Sequence, residues 1–399
     1  METEMEDKKT GMTPRQRAGA VLHYEEVDRI PVVHFGYWKE TLQKWVGEGH
    51  ISQEQADGWE CNGNVYDVEI GNKLGFDHNW NQIFFPVGFR RLNPLFEHKV
   101  VKEFPDGSRH VVNEEGVVIL EKPGANSSIP REIDYTLKDR ASWEEHYKPR
   151  LQFSQEYVDE ALVRKEDGQM IRFDAGGREF LQGDRTFHYG LFGGSVMGEI
   201  RDWLGLENFC YLNMDDPELF LEIVETSAEL SYQSVKAVLD TGAKFDFMHI
   251  WEDLACKSGP LVSPALFEEI AGPHYKKISD LARQYGIDII HLDSDGVVDS
   301  LIPTWINNGV NTLFPIEVGT WGGNIAPWRE KYGKELRGVG GMRKAAFGED
   351  FAAIDAEIER LKPLIALGGF IPCPDHHISP EAKWDNVRYY CDRMHELTM

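Results

Sequence analysis

The segment 288–296 holds the residues whose types and spacing best suit chemistry, since it reads Asp-Ile-Ile-His-Leu-Asp-Ser-Asp-Gly. Its isoleucines predict a buried strand, because β-branched side chains favour strands. His291 and Asp293 are two residues apart, so on an extended chain they point to the same side. A ring nitrogen and a carboxylate placed in this way can bind one metal ion or one substrate. The alternative is a solvated turn in which Asp293 or Asp295 caps the helix that follows.

The same pattern, an apolar strand followed by histidine, carboxylate or aromatic residues, recurs along the chain. Residues 30–35, 245–251 and 310–316 are three such predicted strands. No single member is specific, but the repetition favours one shared site. Besides 288–296, the candidates at predicted strand ends are His34, Tyr37, Trp38, Arg178, His249, Trp251, Glu252, Asp253, Glu317, Asp375 and His376.

Strands that alternate with helices of ten residues or more predict a parallel sheet with right-handed crossovers. Residues 170–174, 336–340 and 369–373 are expected to supply further strands, and Ser379-Pro380 to open a final helix. No dinucleotide-binding Gly-x-Gly-x-x-Gly follows an early strand. The best fit is an α/β fold, a (β/α)8 TIM barrel, whose active-site residues gather at the carboxyl ends of the strands.

The segment 90–130 has a different pattern, because apolar and polar residues alternate on both sides of a Pro-Asp-Gly turn at 105–107. This alternation predicts a β-hairpin insertion with room for a third strand. Residues 1–12 are charged and lack the apolar core of a signal peptide, so they are expected to be a disordered tail. Residues 13–399 are expected to form a single barrel domain.

Composition excludes several classes of function. The chain has 399 residues and a net charge of −25, which disfavours nucleic acid and anionic membrane surfaces as partners. Apolar residues make up 41% of the chain, without a run long enough to cross a membrane. The five cysteines show no Cys-x-x-Cys spacing, which favours reduced thiols and a cytoplasmic location.

Several motifs together resemble the uroporphyrinogen decarboxylase superfamily, and the resemblance runs from about Pro14 to the end of the chain. It is strongest to the branch of decarboxylase-like proteins and corrinoid-dependent methyltransferases, and it also implies a (β/α)8 barrel. The motifs are Asp28-Arg-Ile-Pro-Val, Trp251-Glu-Asp-Leu-Ala, Gly259-Pro-Leu-Val-Ser-Pro, Asp293-Ser-Asp-Gly, Leu313-Phe-Pro-Ile-Glu, Gly340-Gly-Met-Arg-Lys and Gly368-Gly-Phe-Ile-Pro-Cys-Pro-Asp-His.

Two departures from the family argue against porphyrinogen decarboxylation. The true decarboxylase carries an Arg-Gln-Ala-Gly-Arg segment after its first strand, but here that place reads Phe-Gly-Tyr-Trp-Lys-Glu at 35–40. Its catalytic aspartate lies shortly after a Leu-Gly-Phe-Asp segment, whereas here no aspartate follows Asp77 until Asp106. A substrate with many carboxylates needs charge-assisted partners, and those arginines are missing.

The methyltransferase relatives hold zinc with a His-x-Cys pair and a distant cysteine, and the resemblance places His291, Asp293 and His376 at those positions. Histidine and aspartate are acceptable zinc ligands, and three protein ligands with one open position is the catalytic arrangement. The loss of both thiolates removes the soft ligands of the family site. The alternative is a metal-free polar pocket in which His376 and Asp293 bind substrate.

The resemblance implies a methyltransferase in which zinc, or a proton donor in its place, acts on the heteroatom of a small methyl donor. The methyl group would pass to a corrinoid, the cobalamin-type cofactor, on a separate partner protein. A methoxylated aromatic compound is one expected donor, and O-demethylation the corresponding reaction. Glu252, Asp253 and His249 are the expected catalytic residues. The expected substrate-binding residues are Tyr37, Trp38, Trp251, Arg178 and Glu317, with Trp80 and Trp321 as further aromatic walls.

Two other functions fit the sequence. One is a metal-free decarboxylase or lyase acting on a small carboxylate, with Arg178 as the clamp and His376 as the acid. The other is a non-catalytic protein that binds a small molecule at the barrel mouth, which the density of histidines and carboxylates there disfavours. A homodimer is one expected assembly.

Overall fold

Parallel strands wrapped by helices form the centre of the protein, which a computed structural model describes over residues 11–123 and 130–397. The predicted tail 1–12 lies almost wholly outside the described residues. In chain order the strands are β1 (Val33–His34), β2 (His78–Asn79), β3 (Ile83–Phe84), β4 (Lys99–Glu103), β5 (Arg109–Val112), β6 (Val117–Glu121), β7 (Arg131–Tyr135), β8 (Leu162–Arg164), β9 (Met170–Arg172), β10 (Gly190–Gly194), β11 (Phe247–Trp251), β12 (Ala255–Cys256), β13 (Gly259–Pro260), β14 (Ile290–Asp293), β15 (Thr312–Ile316), β16 (Arg337–Met342) and β17 (Phe370–Pro374).

Helices follow most of these strands and cover the outside of the barrel. In chain order they are α1 (Pro14–Leu22), α2 (Lys39–Gly47), α3 (Gln53–Gly58), α4 (Val65–Leu74), α5 (Arg140–Ser142), α6 (Gln155–Glu160), α7 (Gly177–Gln182), α8 (Gly198–Leu204), α9 (Leu206–Asp215), α10 (Pro217–Leu239), α11 (Pro264–Ile270), α12 (Gly272–Gln284), α13 (Ile302–Asn307), α14 (Val318–Trp321), α15 (Ile325–Tyr332), α16 (Phe351–Ile365) and α17 (Trp384–His395). Among the described residues, no helix combines the length and apolarity needed to cross a bilayer.

The TIM barrel expected from the sequence is confirmed. Its parallel strands are hydrogen-bonded in the order β17, β16, β15, β14, β11, β10 and β3. The second position of the barrel is occupied by two short strands, because β2 pairs with β1 whereas β3 pairs with β10. An isolated parallel bridge between Tyr37 and Ile378 brings the last strand back to the first and closes the barrel.

The prediction of a barrel strand at 170–174 is wrong, since β9 pairs antiparallel with β8 in a local hairpin outside the barrel sheet. The third barrel position is taken instead by β10, whose sequence is Gly-Leu-Phe-Gly-Gly. A Cβ atom on Gly190 would lie 2.5 Å from the Phe247 ring, so this strand needs glycine to approach β11. Glycine is unfavourable in an isolated strand, and only this packing explains its use here.

The predicted β insertion is present and larger than a hairpin. Strands β4, β5, β6 and β7 form an antiparallel sheet that extends beyond residue 130 to Tyr135. Residues 124–129, between β6 and β7, lie outside the described part of the chain.

Helix starts follow the capping signals in the sequence at several places. Thr13 forms a capping box with Gln16, and Asp216 and Ser263 each accept a backbone N–H of the first helical turn. The final helix is an exception, because α17 starts at Trp384 and not at Ser379-Pro380. Ile378 is held in the closing bridge of the barrel, and a turn from Ser379 to Ala382 separates it from the helix.

Candidate active site

Four carboxyl groups lie together where β11, β14 and β15 end, namely Asp253, Asp293, Asp295 and Glu317. Asp253 Oδ1 accepts the backbone N–H of Asp295 at 2.9 Å. Glu317 Oε2 accepts the backbone N–H of Gly296 at 2.7 Å. The turn after β14 is therefore hydrogen-bonded to residues that follow both β11 and β15. The carboxyl group of Asp295 in this turn lies between those of Asp253 and Glu317.

Burial and mutual repulsion favour the protonated forms of these carboxyl groups. Burial raises the pKa of Asp253 to about 7, and the Asp295 carboxylate adds to that shift. Burial, followed by repulsion from Asp253 and Asp295, raises the pKa of Asp293 well above its usual value. Burial and Asp295 also raise the pKa of Glu317. These raised pKa values favour the retention of a proton by the cluster as the pH approaches neutral, which is what a general acid requires.

Two basic side chains border this cluster. His376 Nε2 lies 3.3 Å from Asp295 Oδ2, as an ion pair if the imidazole is charged. Lys344 follows β16, and burial lowers the pKa of its amine although Asp375, Glu317 and Asp295 oppose the shift. The strand-end pattern could have found Lys344, because it lies two residues after β16.

His249 and His291 face each other across β11 and β14 inside the barrel. Their Nδ1 atoms are 2.9 Å apart. The Trp80 indole N–H donates to His291 Nε2 at 3.0 Å, and His249 Nε2 lies 3.6 Å from Asp293 Oδ2. Burial lowers the pKa of His249 to about 3 and that of His291 well below its usual value.

The donor set expected for zinc does not fit the ion in this arrangement. Both ring nitrogens of His291 lie within hydrogen-bond distance of other side chains, and His376 pairs with Asp295. Within residues 11–123 and 130–397 no three His, Cys, Asp or Glu side chains are grouped so as to hold a metal ion. Zinc therefore stays a prediction from the sequence.

Glu252, expected to be catalytic, is fully buried and holds the loop between β10 and α8. Its carboxylate accepts backbone N–H groups of Val196, Met197 and Gly198 at 2.8, 2.9 and 2.6 Å. The Tyr275 hydroxyl donates to the same carboxylate at 2.6 Å. Glu252 therefore shapes one wall of the mouth, and this use of its oxygens leaves Asp253 as the better acid.

Asp375 has a comparable role on the opposite side. Its Oδ2 accepts the backbone N–H groups of Val318 and Gly319 at 3.1 and 2.6 Å, and its Oδ1 accepts that of Lys344 at 3.0 Å. This buried carboxylate joins the loops after β15, β16 and β17.

The aromatic residues expected to bind substrate divide into two groups. Trp38 and Trp251 are half-buried at the mouth: the Trp38 ring lies 5.8 Å from the His376 ring, and the Arg201 guanidinium lies 5.8 Å from the Trp251 ring. Tyr37 and Trp80 are only 1% exposed and belong to the core. Trp321 in α14 packs on Trp328 in α15, and their ring centroids are 6.0 Å apart.

The remaining two candidates lie away from this cluster. Arg178 is in α7, and the end of this helix is hydrogen-bonded to residues 241–244 before β11, so α7 lies at the amino end of the barrel. It pairs with Asp159 at 3.8 Å. His34 packs between the rings of Tyr37 and Phe76 and contacts α4. The structure does not bring Arg178 or His34 to the carboxyl cluster.

Comparison with known proteins supports this assignment of the fold. A methyltransferase from Methanosarcina mazei superposes with a TM-score of 0.57 at 15% identity, covering 96% of this chain and 99% of that one. A B12-independent methionine synthase from Shewanella sp. W3-18-1 gives a TM-score of 0.45 at 10% identity, covering 92% of this chain and 98% of that one. At 15% identity, the likeness to the methyltransferase concerns the fold alone. No curated protein sequence matches the chain.

The sequence model of one family covers the second half of the chain, including the ends of β11, β14, β15, β16 and β17. Residues 197–397 match the family described as uroporphyrinogen decarboxylase (URO-D). This confirms the resemblance drawn from the motifs, and the chain belongs to the uroporphyrinogen decarboxylase family.

Proposed function

We propose that the protein is a methyltransferase that removes the methyl group of a small methyl donor, a methoxylated aromatic compound in the first instance. The acceptor in this proposal is a corrinoid carried by a separate protein. The observation that carries the proposal is the cluster of Asp253, Asp293, Asp295 and Glu317 at the barrel mouth, where burial and mutual repulsion raise the pKa of Asp253 to about 7 and that of Asp293 well above its usual value. A methyl ether needs a proton donor at its oxygen, and this cluster can supply one near neutral pH.

The proposed step is a nucleophilic displacement at the methyl carbon, in which the leaving oxygen is protonated. The bond from the methyl carbon to the ether oxygen breaks, and the electron pair of that bond stays on oxygen. The Asp253 carboxyl group gives its proton to the same oxygen, so a neutral phenol leaves and the aspartate becomes a carboxylate. When bound, the corrinoid would supply the nucleophile that takes the methyl group. Positioned proton transfer of this kind typically contributes about 10²- to 10⁴-fold in rate.

The half-buried Trp38 and Trp251 supply apolar ring faces beside the cluster, which suit an aryl group. The backbone N–H of Asp295 holds Asp253 Oδ1, so Oδ2 is the oxygen left to face a substrate. The hydrogen bonds that Glu252 accepts from the loop between β10 and α8 fix the backbone next to Asp253, the proposed acid.

The alternative of a lyase for small carboxylates receives less support. An anionic substrate would meet a mouth in which Asp253, Asp293, Asp295 and Glu317 already repel one another. Arg178, the clamp expected from the sequence, lies at the other end of the barrel.

The test is an anoxic assay of the purified full chain with a panel of methoxylated aromatic compounds and free cob(I)alamin as the acceptor. We expect at least one compound to give the phenol together with an equal amount of methylcobalamin, and Asp253→Asn to suppress both. The matched control is Asp288→Asn, because Asp288 pairs with His23 before β14 at the far end of the barrel. Absence of both products across the panel, or full activity of Asp253→Asn, overturns the proposal.

A further inference from the structure

Trp80, His291 and His249 form a continuous chain of polar contacts inside the barrel that ends at Asp293. The successive distances are 3.0 Å from Trp80 Nε1 to His291 Nε2, 2.9 Å between the two Nδ1 atoms, and 3.6 Å from His249 Nε2 to Asp293 Oδ2. Trp80 is 1% exposed, His291 is fully buried and His249 is 4% exposed. Water cannot replace these contacts without opening the core.

The chemistry of the indole ring fixes the positions of the protons along this chain. An indole nitrogen donates and never accepts, so His291 Nε2 must carry no hydrogen. The single hydrogen of neutral His291 is then on Nδ1, which donates to His249 Nδ1. His249 therefore carries its own hydrogen on Nε2, the nitrogen that faces Asp293.

We propose that Trp80 and His291 are positioning residues that fix the tautomer of His249, so that its Nε2–H is aimed at Oδ2 of Asp293. Oδ2 of Asp293 is thereby the oxygen that accepts from His249, which orients this carboxyl group within the acidic cluster. The role given to Asp293 rests on the proposed function, whereas the tautomers do not. The gap of 3.6 Å is suited to shortening when substrate binds, as catalytic hydrogen bonds often do.

This arrangement also changes the role expected for His249. A second proton on His249 would place two N–H groups against each other at 2.9 Å. Burial opposes the charged form as well, since the pKa of His249 is lowered to about 3. His249 is thus a fixed neutral donor and not a shuttle that gains and loses protons.

The test reads the tautomers directly by ¹⁵N NMR of the full chain labelled at histidine, without substrate or acceptor. Loss of signals in His249→Gln and His291→Gln assigns the two rings. We expect the hydrogen on Nδ1 in His291 and on Nε2 in His249 at neutral pH. A wild-type spectrum with the hydrogen of His291 on Nε2 overturns the inference.

Trp80→Phe keeps a ring against His188 and Phe247, which stack on Trp80 at 4.9 and 5.5 Å, but removes the N–H. We expect His291 and His249 to become mixtures of tautomers in this variant. Trp305→Phe is the control, because Trp305 is equally buried and its N–H has no partner among the described residues. Unchanged histidine signals in a folded Trp80→Phe contradict the inference. A negative methyl-transfer assay would contradict the proposed function but would not change these spectra. The two proposals can therefore be disproved independently.

Discussion

Oδ1 of Asp253 lies 2.9 Å from the backbone nitrogen of Asp295, and this hydrogen bond places two carboxyl groups side by side at the ends of adjacent strands. Asp253 also has a positive φ of 47°, which is rare for a residue other than glycine. The Arg201 guanidinium donates to the Asp253 carbonyl and holds this strained backbone. Strain that is held in this way is typical of functional sites.

The rate of methyl transfer should fall as pH rises through about 7, because Asp253 acts as an acid and its pKa is raised to about 7. Asp253→Asn should lower the rate by about 10²- to 10⁴-fold and abolish this descending limb. The asparagine oxygen can still accept the Asp295 N–H, so the fold should survive. The measurement is the initial rate from pH 5.5 to 9, with Asp288→Asn as control. A variant that keeps the wild-type limb would show that another group supplies the proton.

Glu252→Gln should lower the free energy of unfolding by about 3 kcal/mol, since a buried carboxyl group that accepts several hydrogen bonds loses one of its two accepting oxygens. One amide oxygen cannot serve Val196, Met197 and Gly198 as two carboxylate oxygens do. Tyr275→Phe removes one donor to Glu252 and should cost about 1 kcal/mol. Urea denaturation measures both values. If Glu252→Gln unfolds like the wild type but is inactive, Glu252 is catalytic after all.

The zinc content of the purified chain should be the same in the wild type and in His291→Ala. The lone pair that His291 would offer a metal already accepts the Trp80 N–H. Elemental analysis after dialysis against a chelator checks this expectation. One zinc per chain that disappears in the variant would restore the ligand set predicted from the sequence, and would require Trp80 to turn away from His291.

Stability should decrease in acid because of His78, whose ring nitrogens have no partner among the described residues. Burial lowers the pKa of His78 to about 3. The unfolded chain binds this proton below its ordinary pKa of about 6.5, so the stability present above that pH is lost as pH falls toward 3. His78→Phe should reduce the slope of unfolding free energy between pH 6 and 4 by about 1.4 kcal/mol per pH unit. The free energies of unfolding are measured by urea titration at several pH values. If His78 has no part, the plots of this free energy against pH are parallel for the wild type and His78→Phe.

Much of the barrel could be predicted from the sequence, because β11, β14 and β15 carry β-branched or aromatic runs followed by polar residues. The strands that prediction missed lack this signal. Strand β10 is rich in glycine, and β2 and β3 are two residues each. Their pairing depends on neighbours that are distant in sequence, which local patterns cannot show.

The sequence predicted which residues of the candidate site lie at strand ends, but not which partners each of them has. Glu252 and Asp253 look alike as carboxylates at a strand end, but one accepts backbone N–H groups from the next loop and the other joins the acidic cluster. The contact of Trp80 with His291 spans 211 positions and leaves no trace in the local sequence. Spacing therefore identifies which residues gather at a mouth, whereas their roles depend on partners supplied by the rest of the fold.

The closure of the barrel through Tyr37 and Ile378 constrains how the chain can fold. The Ile378 carbonyl accepts the Trp38 N–H at 3.1 Å and the Thr41 hydroxyl at 2.7 Å, and the latter pair is separated by 337 positions. Contacts this distant make folding slow, because the loop must close before it is stabilised. During synthesis β1 and β16 would present open edges until β17 has emerged, so the nascent chain depends on protection from aggregation until that last barrel strand is available.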